Sequence, residues 1–218
     1  ERFYQQVYGE NIPVIESAVI SGRVKMRLSG IIFPGRFRFT HKAGYGYRHY
    51  IEASLFGFPL MKVNEYYLDG KSRLELPFGT VEDEPKVNQA ANLGLWAESV
   101  WLPAIYLTDG RVHWEPIDEA TAILAVPSKE GEERLIVRFD PETGMVHFLE
   151  TMRVKEANSP TKTLWINEVL DWSLIGGYTL PKIGAVTWFD EGKPWAVFTV
   201  EEVVYNVEIQ EYIRASGP

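Results

Sequence analysis

The sequence predicts a mainly β protein: a curled antiparallel sheet or half-barrel of about ten strands wrapped around one central helix. Three observations carry this. Apolar residues recur with period two through most of the chain, turn residues interrupt them at roughly even spacing, and a single long stretch switches to helical periodicity.

Residues 1–10 read as a short helix, with Phe3, Tyr4, Val7 and Tyr8 on one side and a break at Asn11 and Pro13. From Ser17, Ala18, Ile20, Gly22, Val24, Met26 and Leu28 share one face, and Ser21, Arg23, Lys25 and Arg27 the other. That is a strand with one wet face. Phe33, Phe37 and Phe39 then alternate with Arg36, Arg38 and Thr40. After a turn at Lys42 to Gly44, Tyr45, Tyr47, His49, Ile51, Ala53 and Leu55 oppose Arg48, Glu52 and Ser54. Gly57 marks another break, and Asp69-Gly70 joins a strand over 58–68 to one over 71–81 that carries Leu74, Leu76 and Phe78 on one side.

Glu82-Asp83-Glu84-Pro85 is an acidic helix entry, suited to the positive end of the helix dipole. Over 86–102, Val87, Ala90, Leu93, Ala97 and Val100 form one apolar row, and Ala91, Leu95 and Leu102 its neighbour. Beyond the entry and Lys86 the single charge is Glu98, so this helix is predicted to be buried on the concave side of the sheet. Further strands are expected at 112–115, 120–126, 134–139, 145–156, 164–175, 185–190 and 195–209. In the last of these Trp195, Val197, Val203, Tyr205 and Val207 are apolar on one face, and Ala196, Phe198, Val200 and Val204 on the other, which predicts partial cover on both. No linker or repeat divides the chain, so residues 1–218 read as a single domain.

Composition narrows the function. The net charge of −8 lacks the basic footprint of a nucleic-acid binder and disfavours an anionic membrane surface. The absence of cysteine removes disulfides, thiolate metal sites and cysteine nucleophiles. No run of about 18 apolar residues is present, so membrane attachment is expected only through a segment outside this chain; a start at Glu1 without Met is consistent with a removed leader. Aromatics make up 13% of the residues, enough to fill a large core or to line an apolar pocket.

No Gly-x-Ser-x-Gly, P-loop or dinucleotide fingerprint occurs, and Gly44-Tyr45-Gly46-Tyr47 reads as a hairpin turn. His41, His49 and His147 are scattered, no His or carboxylate pair has metal-ligand spacing, and no metal or cofactor is expected. Glu98, on an apolar helix row, is either a site carboxylate facing a cavity or a structural group, paired with an inward Arg such as Arg48 or Arg111 or capping backbone donors. His113, Trp114 and Glu115 with Asp118 bring acid, base and aromatic groups together, but on a strand His113 and Glu115 share a face that Trp114 does not.

Gly44 to Arg48, Tyr67 to Lys71, Ala97-Glu98-Ser99-Val100-Trp101-Leu102-Pro103, and Val112 to Glu115 followed by Asp118, Thr121 and Ala122 form one set with several later pieces. Those are Phe139-Asp140 with Gly144, Gly177-Tyr178 before Pro181, and Val186-Thr187-Trp188. The set resembles a bacterial and archaeal family of domains of unknown function, many of whose members follow membrane-spanning or leader segments. The resemblance implies a LolA/LolB-like lipoprotein-carrier fold and an extracytoplasmic setting, periplasmic or on the outer face of the cell membrane. The expected function is non-enzymatic binding of a lipid or other apolar molecule by a monomer. Its candidate contacts are Phe37, Phe39, Tyr45, Tyr47, Leu76, Leu95, Trp101 and Trp114, with Arg48 and Glu98 orienting a headgroup. The alternatives are an enzyme using Glu98, His113 or Asp118, and an interaction domain docking through the last hairpin.

Overall fold

A computed structural model describes residues 1–55, 58–77 and 79–214, the side chains of Leu55, Phe58, Pro59 and Arg214 apart. Phe78 and the break at Gly57 lie outside the described residues.

The first meander runs β1 (Ser17–Leu28), β2 (Ile31–Lys42), β3 (Gly46–Leu55), β4 (Phe58–Leu68), β5 (Lys71–Leu76) and β6 (Gly79–Glu82). The second runs β7 (His113–Pro116), β8 (Thr121–Ser128), β9 (Gly131–Phe139), β10 (Val146–Arg153), β11 (Thr163–Ile175), β12 (Tyr178–Trp188) and β13 (Pro194–Tyr205). Each strand pairs antiparallel with its sequence neighbour, and β1 pairs with β13, so the thirteen form one open sheet ordered β6-β5-β4-β3-β2-β1-β13-β12-β11-β10-β9-β8-β7. The count exceeds the expected ten partly because the 71–81 segment contributes two paired strands, β5 and β6. Both free edges, β6 and β7, are four residues long, which limits edge-to-edge pairing.

This topology explains the central helix. The chain must pass from β6 at one edge to β7 at the other, and α2 (Pro85–Glu98) makes that crossing over the concave face. It touches β3, β4 and β5 of one meander and β8, β9 and β10 of the other. Pro85 occupies the first turn, where a missing N–H costs nothing. Residues 90–97 are all buried, as a helix apolar on nearly every side requires. A 3₁₀ turn, Ser99–Trp101, continues it, and Ser99 Oγ donates to the Leu95 carbonyl at 2.8 Å.

Three further helices are short. α1 (Arg2–Tyr8) packs its aromatic side on β11 and β12, with Phe3 edge-on to Trp172 and Tyr8 edge-on to Tyr178. α3 (Ile105–Thr108) and α4 (Gln210–Arg214) were not anticipated, being too short to show periodicity. α4 lies on the convex side, where Arg48 Nη1 donates to the Tyr212 carbonyl at 2.7 Å.

The last strand is partly covered on both faces, though unequally, with Trp195 and Val197 half-buried on one. Ala196, Phe198 and Val200 are buried, then Val203. Glu201 is skipped in the pairing, since Ser21 opposes Glu202 while Gly22 opposes Val200. This bulge shifts the inward parity from even to odd. Val204 is exposed, but no broad apolar face runs along this hairpin.

Candidate functional site

The concave side is filled rather than hollow. Trp96, Leu93, Leu95 and Leu102 from the helix region interlock with Phe37, Phe39, Leu124, Leu135, Leu149 and Phe198 from the sheet. A cavity of about 40 Å³ remains between the C-terminal end of α2 and β10 to β13. Its walls include Phe39, Val100, Trp101, Leu149, Val186 and Phe198, and its polar lining is Glu98, Asn167 and Glu168. That volume holds a few waters, far below the roughly 300 Å³ at which small-molecule sites begin. A larger opening, about 510 Å³, lies at the other end of α2, but Asp83, Lys86, Gln89, Lys129, Glu130 and Glu133 make it polar.

Trp101 forms part of the cavity wall. Its indole N–H donates to the Pro181 carbonyl at 3.1 Å, its own carbonyl accepts from the Tyr205 hydroxyl, and Phe39 lies 6.2 Å away.

Glu98 is the charged centre of this region. Its partners are not Arg48 or Arg111 but His41 and His49: Oε2 lies 2.7 Å from His49 Nε2 and 3.3 Å from His41 Nε2. The β2–β3 register explains why. His41 opposes Tyr47 and Phe39 opposes His49, so the two histidines are diagonal neighbours on the inward face. Phe39 and Tyr47 flank the His49 ring at 4.0 Å and 3.9 Å, the latter stacked within 12°. Burial raises the Glu98 carboxyl, but the two imidazoles outweigh it and hold the group at about 2, a carboxylate at neutral pH. Burial pushes His41 below the usual imidazole value, against the opposing pull of Glu98. The Tyr47 hydroxyl donates to Glu65 at 2.6 Å. Arg153 stacks over Trp165 at 4.3 Å; burial lowers its pKa while Glu65, Tyr47 and Glu98 raise it.

Of the ten candidate contacts, Phe37, Phe39, Tyr47, Leu95, Glu98 and Trp101 lie on the inner side near α2. Four do not join them. Tyr45 is 57% exposed, because it belongs to the turn before β3 begins at Gly46 and its parity is not that of the strand; Arg111 and Lys42 stack on its outer ring. Arg48 is fully buried on the convex face, bonded to Asn64 and Tyr212, and orients nothing at the cavity. Leu76 ends β5 next to the sheet edge and is partly exposed. Trp114, on edge strand β7, packs instead with Tyr106 and Phe139. Arg111 is bound by Asp109 at 2.9 Å and by the Gly44 carbonyl at 3.1 Å.

The acid–base set of the enzyme alternative does not assemble. His113 is exposed beside Glu115 and Glu132, Asp118 accepts from Ala120 N in its own turn, and Glu98 is engaged within the sheet. The cavity residues that sequence reading missed are Leu149, Asn167, Glu168, Val186 and Phe198, and the histidine pair was missed as a pair. Continuing the Phe37, Phe39 row by two residues to His41, across from the Tyr47, His49 row, was the available signal.

A family model described as a family of unknown function, DUF6544, matches residues 1–200. The chain belongs to that family. No curated protein sequence matches it. Among solved structures the family member is similar to a LolA superfamily protein from Nitrosomonas europaea, with TM-score 0.53 and 8% identity over 95% of this chain and 91% of that one. It is also similar to a DUF1329 family protein from Desulfovibrio piger, with TM-score 0.51 and 13% identity over 90% and 88% of the two chains. A third is a putative outer membrane lipoprotein-sorting protein domain from Vibrio parahaemolyticus, with TM-score 0.50, 9% identity and the same coverage of 90% and 88%. These likenesses show that the chain shares its fold with these proteins.

Proposed function

We propose that this chain is a non-enzymatic binding domain for a lipid or other apolar molecule, working outside the cytoplasm. The supporting observation is the wedge between Trp101 and the β10–β13 wall: apolar side chains on most of its surface, with Glu98 at one flank. The shared fold and the lipoprotein-sorting relative support the same reading and the same setting. The net charge of −8 argues for a partner other than nucleic acid.

The resting cavity of about 40 Å³ sets the mechanism. A long guest enters only if the Ser99–Trp101 turn swings off the sheet, trading the Trp101 contacts for contacts with the ligand. Each buried methylene then contributes about 0.8 kcal/mol. Native mass spectrometry after gentle purification, with titration of a fluorescent acyl probe, tests this. A bound lipid, or saturable probe binding, is expected. A uniformly ligand-free mass together with no probe uptake rejects the reading.

A further inference from the structure

Two imidazoles and one carboxylate converge inside the sheet, where the facing polar atoms have only one another as partners. The His41 side chain has no exposed surface, that of His49 is 8% exposed and that of Glu98 17%. Oε2 of Glu98 stands within ion-pair distance of Nε2 of both histidines, and the three donor atoms lie within 4.8 Å of one another, yet these contacts miss hydrogen-bonding geometry. His41 Nδ1, on the far side of the ring, has no hydrogen-bond partner. Buried polar atoms are nearly always satisfied, so a cluster of this kind requires an explanation.

We propose that His41, His49 and Glu98 bind a divalent transition-metal ion of the zinc class. Three donor atoms at about 2.0–2.1 Å from one ion stand roughly 2.9–3.4 Å apart in octahedral or tetrahedral geometry. Glu98 Oε2 lies 2.7 Å and 3.3 Å from the two nitrogens and the whole trio lies within 4.8 Å, so seating an ion asks the two imidazoles to close on Glu98 and on each other. Two imidazoles with one carboxylate select a borderline ion such as Zn²⁺ over the hard ions Ca²⁺ and Mg²⁺, which take all-oxygen shells. The donors are held in advance. His49 is clamped between Phe39 and Tyr47, and Glu98 ends a helix whose preceding residues, 90–97, are buried. Three protein donors leave at least one coordination position for water or a ligand group, and the cavity that Glu98 lines provides space on its flank. This inference stands independently of acyl binding and is tested without a lipid.

The full chain, stripped with EDTA, is titrated with Zn²⁺ by calorimetry and with Co²⁺ by visible absorption. One equivalent is expected to bind, with a rise in thermal midpoint and a Co²⁺ spectrum of nitrogen and oxygen ligation. Glu98→Gln and His49→Gln, which keep side-chain size, are expected to weaken binding by about 100-fold or more, at or beyond the upper end of the roughly 10–100-fold that outer-shell changes cost. His113→Ala removes the exposed His113, Glu115, Glu132 cluster and is expected to leave affinity unchanged. Failure of the folded wild-type chain to take up Zn²⁺ or Co²⁺ overturns the proposal, whatever the stability of the variants. Loss of uptake in His113→Ala alone overturns it as well.

Discussion

Gly22 of β1 approaches β13 so closely that a Cβ on it would stand 2.1 Å from the Thr199 carbonyl oxygen and 3.0 Å from the Glu201 nitrogen. This contact lies on the seam that joins the two meanders, at the bulge that reverses the parity of β13. Backbone atoms cannot yield as a flexible side chain can. Gly22→Ala is therefore expected to destabilise the fold by about 1–3 kcal/mol, the usual cost of overpacking. Urea unfolding monitored by tryptophan fluorescence measures it; an unchanged midpoint would mean that the seam opens freely.

Trp101 lines the cavity and is held by Pro181 and Tyr205. Trp101→Ala is expected to cost about 3–5 kcal/mol of stability. If guests enter by displacing this side chain, the variant binds a fluorescent acyl probe more tightly than the wild type. Equal or weaker binding by folded Trp101→Ala would place the entry route elsewhere.

Arg48 holds the C-terminal segment through the Tyr212 carbonyl, with its guanidinium 4.6 Å from the centre of the Tyr212 ring. A lysine offers neither the forked donors nor the planar stacking surface. Arg48→Lys is expected to speed amide exchange and proteolysis around residues 207–214 and to leave acyl-probe affinity unchanged. A fall in probe affinity without such loosening would return Arg48 to the binding site.

Asp109 is held below its usual value of 3.8 chiefly by hydrogen bonds from the Arg111 side chain. A depressed carboxyl stabilises the fold at pH values above its unfolded value, and the contribution disappears as pH falls through the folded one. Asp109→Asn is expected to lower stability at neutral pH and to flatten the acid limb of the stability curve below about pH 4. Parallel curves for the two proteins would show that the Asp109–Arg111 clasp contributes nothing to folding.

Much of the fold was legible because one face of most strands is wet. Ala18, Ile20, Val24 and Met26 alternate with Arg23 and Lys25, and the structure buries the first set and exposes the second. The helix was legible for the opposite reason, since a helix with almost no charge has to be covered. Two features defeated this reasoning. The bulge at Glu201 changes parity without any change in composition. The turn residue Tyr45 precedes the strand whose alternation it appeared to share.

The site was harder to read than the fold. Glu98 stood out alone, as a charge on an apolar helix, but its partners lie on two other elements, far from it in the chain.

Residue by residue, local chemistry determined that this chain alternates into strands, bends at Asp69-Gly70 and similar turns, and buries one uncharged helix. Those outcomes follow from interactions within a few residues: pleat, turn geometry and the cost of solvating apolar groups. The assembled structure decided the rest. Pairing of β1 with β13 turned two meanders into one sheet, the hairpin register set His41 beside His49, and the crossing of α2 delivered Glu98 to both. Side-chain volume did likewise for the interior, since close packing of Trp96, Trp101 and Phe198 left about 40 Å³ where curvature alone would have allowed far more.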